Sequence, residues 1–109
     1  MKLITTLAIG AAILAVGSLK AEDAQANFNK LCAPCHGKDG SGDTKMGKKV
    51  GVKDYRDPKV QAELTDEKAM KQIKEGLTEN GKERMKPFKD KLTDDEIKAL
   101  IAYIRTFKK

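Results

Sequence analysis

Two cysteines and the chain's single histidine fall within one run of five residues, Cys32-Ala33-Pro34-Cys35-His36. That run limits the fold more than any other part of the sequence. The sulfurs are three positions apart, about one helical turn, so both face the same edge of whatever they hold. The bland readings fit poorly. A structural zinc site needs four ligands, and two thiols and one imidazole, with no second Cys or His cluster, supply three. A thioredoxin-type dithiol wants a βαβ setting, and no strand-like alternation flanks the run. A plain local disulfide leaves His36 unexplained.

Cys-x-x-Cys-His is the pattern of covalent haem attachment. The thiols of Cys32 and Cys35 add across two vinyl groups of the porphyrin, and His36 brings its imidazole under the iron as proximal ligand. Composition agrees with a bound group of that bulk. The chain of 109 residues has no Trp, three Phe and two Tyr, and 35% of it is charged. So short a chain buries a small core and needs a staple, and a large apolar cofactor supplies one.

The N-terminus reads as an export leader. Lys2 precedes an uncharged run from Leu3 to Leu19, then small residues and a polar sequence, which is the layout of a signal peptide. We place it at residues 1–21, with a cut after Ala21; Ala24-Gln25-Ala26 is the alternative small-x-small site, and an uncleaved anchor is the competing reading. Residues 22–109 then form one domain in an exported, periplasmic setting. Its charge, +6 for the whole chain including Lys2 and Lys20, is modest, and with few aromatics it argues against nucleic acid.

A low-spin iron needs a sixth ligand, and without another His the candidates are Met and Lys. Met70 lies in an expected helix from Thr65 to Glu75 at apolar spacing with Ile73, which marks it as core. Met46 lies in a Gly-rich stretch only ten residues beyond His36 and would have to reach the opposite face. Met85 lies in an expected irregular stretch, Asn80 to Phe88, between two helices, with Pro87 fixing the backbone beyond it. We therefore assign Met85 as the second ligand.

The remaining pattern is helical. Asp23 to Cys32 puts Ala24, Phe28 and Leu31 on one face. Gly37, Gly40 and Gly42 break that pattern. Asp57-Pro58 reads as a cap and first helical position, and Gly76 ends the helix that begins at Thr65. Thr93-Asp94-Asp95-Glu96 is a capping box opening a helix whose Ile97, Leu100, Ile101 and Ile104 form one apolar face.

Taken together, Cys-Ala-Pro-Cys-His-Gly, Met85-Lys86-Pro87-Phe88 and Ile97 to Ile104 resemble the class I c-type cytochromes over nearly all of residues 22–109. The resemblance implies an all-α cytochrome c fold in which the N- and C-terminal helices cross, with Ala24, Phe28, Leu100 and Tyr103 at the contact and the haem enclosed by helices and loops. It also implies a one-electron carrier with one covalent haem c, a monomer that is no enzyme and has no small-molecule substrate. A haem-based sensor with a displaceable sixth ligand is the alternative. One departure stands out: no Pro lies between His36 and Pro58, so a carbonyl near Met46 or Gly47 is expected to orient the imidazole. Tyr55 and Arg56 are the candidates for a haem propionate. Residues 37–60 carry seven basic and four acidic side chains and residues 80–91 five and two. Lys45, Lys48, Lys49, Lys53, Lys82, Lys86 and Lys89 are therefore expected to border the haem edge and steer acidic redox proteins to it.

Overall fold

The computed structural model describes residues 21–109; the signal-peptide reading falls almost wholly on residues outside these. Helix α1 (Ala21–Asn27) widens into one π-helical turn (Phe28–Cys32) and continues as α2 (Ala33–His36). There follow α3 (Lys45–Val50), α4 (Pro58–Glu63), α5 (Asp66–Glu75), the strands β1 (Leu77–Glu79) and β2 (Lys82–Met85), and α6 (Asp94–Arg105). Among the described residues no helix is long and apolar enough to cross a membrane.

The first helix packs on the last. Ala24 is small enough to let α6 approach, and Phe28 and Leu100 are fully buried at the contact. The Phe28 ring lies 5.4 Å from Tyr103 and 5.1 Å from Phe107, tilted against both, as aromatic quadrupoles prefer. Helix α6 buries Ile97, Leu100, Ile101 and Ile104, all four residues of its expected apolar face. With Ala69 and Ile73 of α5 and Leu92 these make the core. Burial of side chains of this size stabilises by about 1.5–3 kcal/mol each.

The helix starts follow their caps. Thr93 accepts from the Glu96 amide at 3.1 Å while the Glu96 carboxylate accepts from the Thr93 amide at 2.8 Å. Thr65 and Asp57 cap α5 and α4 with a single bond each, accepting from the Lys68 and Lys59 amides. Replacing the cap in Thr93→Ala should cost about 1 kcal/mol, read as a thermal midpoint lower by roughly 4–8 °C, and Thr93→Ser should restore it. An unchanged midpoint in the Ala variant would mean that the capping box contributes nothing to stability.

Two segments differ from the expectation. The stretch expected to be irregular, Asn80 to Phe88, is not so up to Met85: Lys82–Met85 pairs with Leu77–Glu79 as a two-stranded antiparallel hairpin. Asn80 and Gly81 both take positive φ (52° and 76°), the pair of left-handed residues that a type I′ turn requires. The flanks hide it, because Lys82-Glu83-Arg84 shows no apolar alternation. Met46 lies in helix α3 and not in a loop. Thr44 caps that helix by accepting from the Gly47 amide, and Gly51 at φ 78° ends it. Four glycines in residues 40–51 mask so short a helix.

Candidate haem site

The motif is carried on a helix with one widened turn. The Ala33 amide donates five residues back, to the Phe28 carbonyl, and α2 ends where Gly37 turns to φ 82°. The structure brings all four expected site residues together: Cys32, Cys35, His36 and Met85 line one cavity of about 820 Å³. That is within the size range of cofactor sites. Leu31, Val52, Val60, Leu64, Leu77 and Phe88 supply apolar wall.

The chemistry of the donors fits a covalent haem. Both cysteines are free thiols. Burial, with a smaller effect from Cys35, pushes the Cys32 thiol up to about 12, the opposite of the thiolate that a dithiol oxidoreductase uses. Burial lowers His36 to about 4, so the imidazole is neutral at physiological pH and keeps a lone pair for a metal. The His36 ring stacks on Tyr55 at 4.9 Å and 17°, and Phe28 lies 6.4 Å away.

The expected carbonyl near Met46 or Gly47 does not receive the ring: among the described residues, the buried His36 Nδ1 has no hydrogen-bond partner. The Gly47 carbonyl already accepts from the Gly51 and Val52 amides at 2.8 and 3.0 Å, and α3 serves the site in another way. A Cβ at Gly47 would overlap the Cys35 carbonyl and meet the Gly42 carbonyl at 2.7 Å. Glycine there lets α3 press on the motif's backbone, and the Cys35 carbonyl accepts from Thr44 Oγ1 at 2.6 Å. Helix α3 thus braces the cysteine beside His36, and Tyr55 supports the ring.

Met85 is held from several sides. Its strand pairs with Leu77, and glycine at position 76 (φ 80°) lets the Met85 carbonyl come within 2.6 Å of where a Cβ would stand. Beyond Pro87 the Phe88 amide donates to Ile73 at 2.8 Å and Lys89 to Lys74 at 3.2 Å, pinning the segment to α5. Met46 also lines the cavity but is 46% exposed. Met70 stands away from it, half-buried against the core in a surface groove with Asp66, Glu67, Lys98 and Ile101.

The propionate candidates separate. Tyr55 lines the cavity. Arg56 does not: its Nε and Nη2 donate to the two Asp54 carboxylate oxygens at 3.0 and 2.9 Å. Of the seven expected border lysines, Lys53 and Lys86 line the cavity, and Lys48 is paired with Asp43 at 3.0 Å.

Sequence reasoning missed two polar features. Gln61, 6% exposed, donates to the Tyr55 carbonyl at 2.7 Å and the Ile104 carbonyl at 2.9 Å. Arg105 binds the Gln61 carbonyl and side chain, the Leu64 carbonyl and Asp66, so α6 fixes the loop that carries Tyr55. Arg84, beside Met85, also lines the cavity. No spacing rule points to either, because both serve contacts distant in the chain.

Residues 19–104 match the family model described as "Cytochrome C oxidase, cbb3-type, subunit III". Among solved structures, one titled "KustC0563 c-type cytochrome" is 39% identical over 80% of this chain and 99% of its own, with a TM-score of 0.71. A second, of a tyrosine-to-phenylalanine mutant of Kustc0563, is 40% identical over 79% of this chain and 99% of its own, with a TM-score of 0.68. No curated protein sequence matches the chain. With that family match, the fold and the Cys-x-x-Cys-His cavity, the chain belongs to the c-type cytochromes, proteins that carry covalently bound haem c in a cytochrome c fold.

Proposed function

We propose that this cytochrome is an exported one-electron carrier with a single haem, attached through Cys32 and Cys35, and with His36 and Met85 as the two iron ligands. The observation that carries the reading is the meeting of a neutral, unpartnered imidazole and a braced methionine in one apolar-walled cavity. When bound, haem supplies an Fe(III)/Fe(II) couple, and His/Met ligation with burial favours the reduced state.

The protein's part is to keep both ligands still. Tyr55 stacking and the α3 brace hold the His36 side. The hairpin and the two hydrogen bonds onto α5 hold the Met85 side. Met46 fits the role less well, since α3 packs against the motif helix and therefore lies on the His36 side. No general acid or base enters this reading, so a carrier describes it better than an enzyme. Lys53 and Lys86 at the cavity mouth would favour brief encounters with acidic redox proteins, which are small and salt-sensitive.

The test is an absorption spectrum of the purified exported protein with a haem count. One haem per chain, a low-spin spectrum in both oxidation states and no carbon monoxide adduct are expected. A high-spin spectrum with ready carbon monoxide binding would overturn the carrier reading in favour of a sensor.

A further inference from the structure

The residue before Met85 is placed by an irregularity in the hairpin. Leu77 pairs with Met85 and Thr78 with Glu83, so two steps on β2 oppose one on β1, and Arg84 is the extra residue. On a regular strand neighbouring side chains leave opposite faces. A bulge breaks that alternation and re-aims a side chain, and here Arg84 and Met85 are both half-buried and both line the haem cavity.

The guanidinium is only partly used. Nη1 donates to the Val50 carbonyl at 3.2 Å, crossing from the hairpin to the end of α3. Nε is shielded from solvent and has no hydrogen-bond partner among the described residues. The Glu79 carboxylate, 60% exposed, is 4.0 Å from Nε, well beyond the roughly 2.7–2.9 Å of a charge-assisted hydrogen bond. Arginine carries five donors in a planar fork suited to a carboxylate, and a buried donor left unmade is costly. Nη1 and Nε do not exhaust the fork, and Arg84 lines a cavity whose family cofactor, haem c, bears two carboxylates.

We propose that Arg84 is the residue that holds a haem propionate, with its Nη1 bond to Val50 keeping the fork in place across the cavity. The bulge is the device that lets one strand present both the iron ligand and the carboxylate anchor. Arg84 thereby takes the part that the sequence suggested for Arg56, whose fork Asp54 occupies. The inference rests on the His36–Met85 haem reading above.

Proton NMR of the reduced holoprotein tests it directly, with Arg84 Nε–H assigned by its loss in Arg84→Lys. The expected result is guanidinium protons of Arg84 that show cross-peaks to propionate methylene protons. As a second readout, Arg84→Gln should shift the one-electron reduction equilibrium at least threefold toward the oxidised form, because the propionate charge is no longer balanced. Arg84→Lys should recover part of that shift, and Lys82→Gln, with the same loss of charge on the same hairpin, should move it less than twofold. Arg84 guanidinium protons with cross-peaks only to Glu79 and Val50 overturn the assignment, as do equal shifts in Arg84→Gln and Lys82→Gln. The wild-type spectrum separates the two levels: if it is low-spin and these tests fail, Arg84 alone is wrong, whereas a high-spin or haem-free wild type removes the reading beneath it.

Discussion

A Cys32→Ser/Cys35→Ser double variant is expected to lose the folded state along with the haem. The described core is small, in a chain with no Trp and three Phe, and several of the residues packed on it, among them Leu64, Met85 and Phe88, also line the cavity. That cavity measures about 820 Å³. At about 24 cal/mol per Å³ of cavity, leaving it empty would cost roughly 20 kcal/mol, an upper bound because an open cavity admits water and can collapse. A quarter of that already equals the ~5 kcal/mol at the low end of small-domain stability. Circular dichroism of the haem-free double variant should show most of the helical signal gone at 25 °C and no cooperative melt. A sharp transition within a few degrees of the holoprotein would show that the polypeptide folds without its cofactor.

Replacing Met85 should leave the haem attached but change what it is. In Met85→Ala, the weak near-infrared band of the oxidised form should vanish, carbon monoxide should bind the reduced form, and the reduction equilibrium should fall at least a hundredfold. For one electron this is about 120 mV, at roughly 59 mV per tenfold, and its direction follows from losing the thioether that favours the reduced iron. Met85→Leu keeps the volume and apolar contacts. The same losses in Met85→Leu would assign them to the sulfur and not to packing. Met46→Ala should leave spectrum and equilibrium as in the wild type, and the reverse pattern would transfer the ligand to α3.

What the sequence disclosed depended on how local the cause was. Cys32 to His36 is legible because covalent chemistry sets its spacing, and α6 is legible because its cap and apolar face lie in one short consecutive stretch. The hairpin carried a plain signal in Asn80-Gly81, but its strands are short and charged, and β pairing was masked by their polarity. Arg84, Gln61 and Arg105 are not legible for another reason. Each has a partner 34 to 44 residues away, and a polar residue on a charged surface looks the same until the fold shows what it faces. Arg56 is the converse case. Beside Tyr55 in the sequence it reads as available, but Asp54, two residues back, claims it.

The widened turn at Phe28–Cys32 has a consequence for how this protein tolerates change in length. A π turn takes up one residue more than the α-helical turn it replaces, so the segment holds a residue of slack. Deleting the exposed Lys30 would let the turn close as ordinary α-helix. Ala24 and Phe28 would stay against α6, and Cys32, Cys35 and His36 would keep their angular position beyond it. Helix α6 has no such reserve. Losing one residue from its middle would rotate everything after the gap by about 100°, carrying Ile104 off the core. The arm that bears the haem motif can therefore absorb a single-residue deletion that its partner helix cannot, and length variation at this interface should fall on one side of it only.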